Sequence, residues 1–365
     1  MRVGILQMSY GAKEEMDATR AQAESVGIAY RGVHVGGRTR EGRIVDGGSK
    51  LAREMARVSI ERKYDLVVAR SLVPAASVLA TPWARRRFVF DADGLAADER
   101  LDFAGWSAQG FKYRMARAVE SAALRQATVT MTRTHAAKEV LLARGGRERD
   151  IIVAPNGSDE SRFAPLSSLE RNRLRSQYGF SPNDLVVVYC GTIGPQYRPD
   201  LMAAFVGRLR EVAKGEVRLV VLSSAVDQGL EIGRLAGLKP ESVVARSVAP
   251  AEVAPFLGAA DVGLAFREPA PSQCAVSPIK VGEYVLCGTP VVTNSGVGDL
   301  DAMLGDDLGL VAATPTAAAV QELAERFAAR SFDREQVRSA GLRQFSLNVA
   351  VDGYTKGIGT ALNEL

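Results

Sequence analysis

Short apolar segments alternate with longer helical segments along almost the whole chain. The apolar segments are continuous runs rich in Val, Ile and Leu, as expected for strands that are buried on both faces of a sheet. The helical segments between them have one apolar side, and together they predict doubly wound parallel sheets. The predicted strands are 3–8, 66–69, 88–90, 128–132, 151–154, 185–189, 217–222, 243–245, 262–266 and 290–293. The predicted helices include 47–62, 108–125, 135–143, 199–213 and 251–257.

The number of these strands favours two sheets over one. A chain of 365 residues is also longer than most single domains, which rarely exceed about 250–300 residues. Pro, Gly, Ser and Asp are concentrated in PNGSDESRFAPL, residues 155–166, between a strand and a new helix. The strand pattern then restarts with DLVVVYCGTIG, which ends in a glycine turn. We therefore expect two Rossmann-like α/β domains, with the break in residues 155–166.

Composition excludes several kinds of protein and site. No run approaches the roughly 18 apolar residues of a membrane span, and the opening apolar run is too short for a signal peptide. The three cysteines, Cys190, Cys274 and Cys287, are scattered without metal-ligand spacing, which favours reduced thiols in a cytosolic protein. With only two histidines, His34 and His135, a histidine-rich metal site is not expected.

Positive charge is concentrated in the first half of the chain. Residues 1–165 contain 27 Lys and Arg against 20 Asp and Glu, a balance of +7, and residues 166–365 contain 19 against 22, a balance of −3. Such a basic half indicates an anionic partner, such as a membrane surface or a phosphorylated lipid. No aromatic residues interleave with the basic ones to stack on bases, so nucleic acid is not the expected partner. Ordinary solvated surface is the alternative. The basic clusters are Arg38/Arg40/Arg43, Arg85/Arg86/Arg87 and Lys112/Arg114/Arg117.

The segment SPIKVGEYVLCGTPVVTNSG, residues 277–296, has the chemistry of an anion site. Lys280 and Glu283 are three residues apart and lie on one side of a predicted short helix, whose other side is apolar. A helix N-terminus has unpaired N–H groups and the positive end of the helix dipole, so with a lysine in its first turn it attracts phosphate. A carboxylate one turn later can accept hydrogen bonds from a vicinal diol. The alternative is a helix whose charged residues only face water.

Several motifs together resemble a known enzyme family. SPIKVGEYVLCGTPVV resembles the donor-binding signature of retaining glycosyltransferases of family four, and VAPNGSDESRF is similar to their interdomain linker. VAPAEVAPFLGAADVGLAF and FVFDADGLAADERLDFAGW are similar to further segments of the family. The resemblance implies the GT-B fold of two facing Rossmann-like domains, with a C-terminal helix that crosses back to the first. The implied domains are 1–160 plus 345–365 on the acceptor side, and 161–344 for the nucleotide sugar.

The resemblance also implies roles for individual residues. Glu283 matches the family's ribose-binding glutamate, and Lys280 or Arg198 would hold the donor diphosphate as catalytic cations. Gly191 would let the backbone approach the donor. Asp93 stands where many members have a histidine in the cleft, and it is the third residue with an implied catalytic role. The family's first donor-site glutamate is replaced by Ala275. The remaining residues implied to bind substrate are Thr192, Ser277, Pro278 and Ile279.

These implications describe a metal-independent, hexosyltransferase-like enzyme without a cofactor. Its expected partners are a nucleoside-diphosphate sugar, a cell-surface glycan or lipid-linked acceptor, and an anionic membrane that it touches from the cytoplasm. Two other hypotheses remain at this point: a nucleotide-sugar epimerase of the same fold, and an inactive nucleotide-sugar-binding subunit. Asp91-x-Asp93 also has the form of the metal motif of GT-A glycosyltransferases, but GT-A would leave residues 277–296 unexplained. We expect Asp91 to support Asp93, on the same face of one strand.

Overall fold

A computed structural model describes residues 4–9, 13–34, 49–51, 53–54, 57 and 64–364. It divides into two compact units, each with its own α/β layers. The first unit comprises Met1–Thr132, Ala137–Val153 and Tyr354–Leu365, and the second comprises Arg133–Ala136 and Ala154–Gly353.

The described part of the first unit contains two parallel sheets. Strands β1 and β2 form one sheet, and β3, β4, β5 and β6 form another in that spatial order. The strands are β1 Gly4–Ser9, β2 Ala29–His34, β3 Val67–Arg70, β4 Phe88–Asp91, β5 Val129–Thr132 and β6 Ile151–Val153. The helices are α1 Lys13–Ser25, α2 Leu72–Leu79, α3 Ala96–Phe103, α4 Phe111–Gln126 and α5 His135–Ala143.

The second unit is built on one six-stranded parallel sheet with the order β12-β11-β10-β7-β8-β9. Its strands are β7 Leu185–Cys190, β8 Val217–Leu222, β9 Val243–Arg246, β10 Val262–Leu264, β11 Val291–Asn294 and β12 Gly309–Ala312. Its helices are α6 Ser168–Gln177, α7 Pro199–Val212, α8 Val226–Leu235, α9 Val253–Ala259, α10 Ile279–Leu286, α11 Leu300–Met303, α12 Ala317–Ala328 and α13 Arg334–Phe345. Helix α14, Leu347–Asn363, begins in this unit and ends in the first.

Apolar cores cover both faces of the six-stranded sheet. On β7, Val186 and Val188 belong to the core under α9, α10 and α13, whereas Val187 and Tyr189 belong to the core under α7 and α12. Successive side chains of a strand point to opposite faces, so a strand between two helical layers must be apolar throughout. This explains the continuous apolar runs and confirms the predicted fold class.

Two strands were missed by the sequence prediction. In β2 the residues Ala29, Arg31 and His34 are exposed and the strand has no continuous apolar run, and β12 is only four residues long. The other strands fall within a residue or two of the predicted bounds. The predicted helix 47–62 lies largely outside the described residues.

Besides the short excursion at Arg133–Ala136, the chain changes unit just before the predicted linker and again within α14. Residues 154–160 belong to the second unit because the Ser158 N–H donates to the Phe345 carbonyl and Ser158 forms a bridge with Ser346. At the other end, the Tyr354 hydroxyl donates to Asp91 of the first unit. The domain bounds 1–160 plus 345–365 and 161–344 remain a prediction, and the compact units divide instead at Val153/Ala154 and Gly353/Tyr354. Among the described helices, none combines the length and apolar character needed to span a membrane.

Candidate donor site

Helix α10 presents Lys280 and Glu283 on one side because its other side is fully buried. Val281, Tyr284 and Val285 are completely inaccessible to solvent and lock the helix against the sheet. Gly288, with a φ of 70°, follows the helix in the left-handed conformation that commonly ends helices. The charged side of the helix is thereby fixed, as the three-residue spacing predicts.

Lys280 lies among aromatic rings. Its Nζ donates to the Tyr189 hydroxyl at 3.0 Å and lies 4.2 Å from the centroid of that ring and 4.8 Å from that of Tyr197. No carboxylate of the described residues is within ion-pair distance of it. Burial, and secondarily the positive charge of Arg267, lowers the pKa of Lys280 to about 7. Lys280 therefore has no ion pair among the described residues, although the nearby Cys190 and Glu283 favour its charged form.

Gly191 lies directly against this lysine at the end of β7. Its φ is 130°, and a Cβ built on it would lie 3.2 Å from Lys280 Nζ. A side chain at this position would therefore strain the backbone and crowd the cation. The carbonyl of the next residue, Thr192, accepts a hydrogen bond from the Tyr189 hydroxyl, which holds the turn beside Lys280.

Glu283 is partly buried, and its carboxylate accepts no hydrogen bond from the described residues. Burial raises its pKa, with Arg162 and then Lys280 opposing the shift. The Cys190 thiol feels the same charges: burial, and next Glu283, raises its pKa to about 11, against the effect of Lys280. Glu283, Cys190 and Lys280 therefore share one neighbourhood, in which the glutamate is an unused acceptor.

The loop before α10 is tied to the Pro-Asn-Gly segment. The Asn156 N–H donates to Ser277 Oγ at 3.2 Å, and Asn156 Nδ2 donates to the Ser277 carbonyl at 2.8 Å. Pro278 is the residue that precedes the first turn of α10, and the Ile279 side chain after it is half exposed. Ser277, Pro278 and Ile279 thus lie at the N-terminal end of α10, close to Lys280 in sequence and structure. Their contact with substrate remains a prediction.

Arg198 is engaged by carboxylates. Its Nε and Nη2 donate to the two oxygens of Asp200 at 2.9 and 2.7 Å, its Nη1 lies 3.2 Å from Glu268, and Nη1 also donates to the Pro315 carbonyl. These partners, with Asp200 first, raise its pKa. These contacts hold the loop that carries Arg198 in place. Its role in binding a diphosphate remains a prediction.

Arg267 was missed by the sequence prediction. Its backbone N–H donates to Asn294 Oδ1 at 2.8 Å, its Nε donates to Gln273 Oε1 at 2.5 Å, and its guanidinium lies 5.0 Å from the Tyr197 ring centroid. It follows the apolar run 262–266, so it emerges at the carboxyl edge of the sheet, the same edge as Gly191. A basic residue directly after a buried strand was the available signal. Tyr189 and Tyr197 had no comparable signal.

Asp93 lies in the first unit, beyond the end of β4. Its Oδ1 accepts from Arg70 Nη2 at 3.0 Å, and its N–H donates to Asp91 Oδ1 at 3.1 Å. Asp91 is buried and its Oδ2 also accepts from the Tyr354 hydroxyl at 2.6 Å. Asp91 therefore supports the Asp93 backbone as expected. The expectation that the two share a strand face is wrong, because β4 ends at Asp91 and Asp93 has a φ of 60°.

No group of three or more metal-binding side chains occurs among the described residues.

Comparisons of the sequence with known proteins find similarity to glycosyltransferases. Residues 8–157 match the Glycosyl transferase 4-like domain. Over 224 residues, 58% of this chain, it is 30% identical to a D-inositol 3-phosphate glycosyltransferase of Segniliparus rotundus, and over 175 residues, 45% of this chain, it is 31% identical to one of Actinosynnema mirum. The matched segments span about half the length of these relatives, 47% and 40%.

Solved structures match along the entire chain. Anabaena HepE in complex with UDP and glucose superposes with a TM-score of 0.70 at 17% identity, covering 100% of both chains. WaaG, a glycosyltransferase involved in lipopolysaccharide biosynthesis, superposes with a TM-score of 0.64 at 14% identity, covering 99% of this chain and 98% of that one. The chain therefore has the GT-B fold of these glycosyltransferases, and its residues 8–157 match the Glycosyl transferase 4-like domain.

Proposed function

We propose that the chain is a retaining glycosyltransferase that moves a sugar from a nucleoside-diphosphate sugar to a glycan or lipid-linked acceptor. The observation that carries this proposal is the pair on α10. Lys280 is a cation without a carboxylate partner, and Glu283 is a carboxylate without a donor, among the residues that the structure describes. A nucleoside diphosphate offers the complement of both, with phosphates for the lysine and ribose hydroxyls for the glutamate.

The sequence relatives and structural neighbours support the same chemistry. HepE binds UDP and UDP-glucose, and the curated relatives are glycosyltransferases named for D-inositol 3-phosphate. Uridine nucleotides are therefore the first donors to test. A phosphorylated acceptor also suits the positive balance of residues 1–165.

Electrostatic stabilisation of the leaving group accounts for the proposed catalysis. Negative charge grows on the diphosphate as the glycosidic bond breaks, and Lys280 with the N–H groups of α10 stabilises it there. In the retaining reaction, the leaving phosphate takes the proton of the acceptor hydroxyl on the same face of the sugar, so no protein nucleophile is needed. We assign Asp93, held by Arg70 and Asp91, to the acceptor side.

A thermal-shift panel of nucleoside diphosphates tests the donor site, followed by hydrolysis and transfer assays with the sugar form of the tightest binder. We expect at least one diphosphate to stabilise the protein. Glu283→Ala and Lys280→Ala should each cost about 1.5–3 kcal/mol of binding, one to two decades in Kd. Lys239→Ala and Glu241→Ala are matched controls, because both side chains are exposed in the same unit. Unchanged affinity in both site variants would overturn the assignment, and conversion of the donor sugar without an acceptor would indicate an epimerase.

We further propose that the first unit makes reversible contact with an anionic membrane on its cytoplasmic face. Arg85, Arg86 and Arg87 are exposed, with no ion pair among the described residues. On α4, Phe111 and Met115 are 75% and 51% exposed and lie one helical turn apart. In the sequence of α4, the exposed residues Lys112 and Arg114 stand between them. Basic side chains beside exposed apolar ones suit the interface between headgroups and acyl chains.

A further inference from the structure

The second unit holds another cation close to Lys280. We propose that Arg267 supplies the second positive charge for the donor diphosphate, the role that the family resemblance suggested for Arg198, and that Gln273 positions it. This inference rests on the proposed donor site and names a residue that neither the motif nor the family resemblance identified.

The Tyr197 ring brings Arg267 and Lys280 together. The guanidinium carbon of Arg267 lies 5.0 Å from the ring centroid, and Lys280 Nζ lies 4.8 Å from it. Both cations therefore border one aromatic side chain, which places them in one site. Each comes from a different element, since Arg267 follows β10 and Lys280 begins α10.

Arg267 is fixed at two points before any ligand binds. Asn294, fully buried at the end of β11, accepts from its backbone N–H, and Gln273, 1% exposed, accepts from its Nε. Asn294 fixes the backbone and Gln273 orients the guanidinium, and since both acceptors are neutral they do not cancel its charge. Preorganised cations of this kind stabilise a leaving phosphate without having to reorganise during the reaction.

Arg267 and Arg198 differ in their ion pairs. Arg198 is paired with two carboxylates, whereas Arg267 has no ion pair among the described residues. Burial, and after it the positive charge of Arg267, lowers the pKa of Lys280, as expected for two neighbouring cations. Gln273 Nε2, also buried, has no acceptor in the described part of the chain. The cluster is therefore rich in positive charge and donors, and a diphosphate would relieve the repulsion.

The test compares UDP with uridine, which lacks phosphates. Arg267→Met should weaken UDP binding about ten- to hundredfold and leave uridine binding unchanged, because only the phosphate contact is lost. Arg267→Lys should recover most of the UDP affinity. Arg234→Met is the matched control, because Arg234 is an exposed cation on α8 of the same unit and its loss should leave both affinities unchanged. Thermal unfolding of each variant checks that it is folded.

A second test compares UDP binding by two variants of Gln273, one charged and one apolar. Gln273→Glu keeps the size of the side chain but places a carboxylate on Arg267 Nε, so it should weaken UDP binding more than Gln273→Leu does. A purely structural role for Gln273 predicts the opposite order. UDP binding by Arg267→Met at wild-type strength, or a greater loss in Gln273→Leu than in Gln273→Glu, would overturn the inference. If the wild type binds UDP and every other nucleoside diphosphate no better than the nucleoside, the proposed function fails and the inference with it.

Discussion

At the scale of single residues, Lys280 should couple donor binding to protonation if it holds the diphosphate as proposed. Its pKa of about 7 in the unliganded protein should rise when a diphosphate binds, because an adjacent anion favours the charged form. Binding should therefore take up a proton above pH 7, where the terminal phosphate, with a second pKa of about 6, is already ionised. We expect UDP affinity to fall as the pH rises from 7.5 to 9.

Calorimetry in buffers with different ionisation enthalpies measures this proton uptake directly. Lys280→Arg is the control, because arginine stays protonated throughout the range and its variant should bind with little pH dependence. Equal wild-type affinity at pH 7.5 and 9, with no proton uptake, would show that Lys280 keeps an ordinary pKa or does not face the phosphate.

The same residue should reduce the stability of the unliganded protein. A folded-state pKa of about 7 lies below the unfolded value of about 10.4, so between these pH values the unfolded chain binds more protons. The contribution of Lys280 to the free energy of unfolding is thus least favourable below pH 7 and rises with pH up to about 10.4.

Lys280→Met should therefore stabilise the unliganded protein at pH 7 while it weakens diphosphate binding by about one to two decades in Kd. Removing an unpaired, desolvated charge should raise the free energy of unfolding by about 0.5–2 kcal/mol, as found where binding sites trade stability for function. Thermal or denaturant unfolding without nucleotide measures the change, and Lys239→Met is the exposed control. A Lys280→Met protein less stable than the wild type would mean that the lysine is held by favourable interactions.

At the scale of elements, the residues at the end of β4 bear on whether sugar transfer needs a metal ion. Asp91 accepts from the Tyr354 hydroxyl and the Asp93 N–H, and Asp93 accepts from Arg70. We therefore expect sugar transfer to survive EDTA, since the cations of the second unit stand in for a metal at the diphosphate. Loss of transfer in EDTA that manganese restores would make Asp91-x-Asp93 a metal site.

Features that depend only on residues close together in sequence were predictable. The side of α10 that carries Lys280 and Glu283 follows from helical spacing, and β7 follows from its continuous apolar run. The cation cluster was not predictable in this way, because Arg267, Tyr197 and Lys280 meet only through the packing of separate elements. The partners of Arg198 were likewise only partly predictable. Asp200 lies two residues away in sequence, but Glu268 approaches Arg198 only in the folded unit.

At the scale of the whole molecule, charge is divided between the two halves of the chain. Residues 1–165 have a balance of +7 and residues 166–365 have −3. If the first unit meets an anionic membrane, each basic residue near the surface contributes about 1 kcal/mol, within a Debye length of roughly 8 Å at physiological salt. Contact should therefore be peripheral, reversible and lost in high salt.

Co-sedimentation with liposomes tests this contact. The wild type should pellet with vesicles that contain anionic lipid and stay in solution with neutral ones, and the triple variant Arg85/Arg86/Arg87→Ser should lose most of the binding. Phe111→Ser with Met115→Ser should weaken binding further at physiological salt, since these exposed side chains add an apolar contribution to it. Leu169→Ser is the matched control, because Leu169 is 80% exposed but lies in the second unit. Equal pelleting on neutral and anionic vesicles, or none on either, would make the basic half ordinary solvated surface and point to an acceptor free in solution.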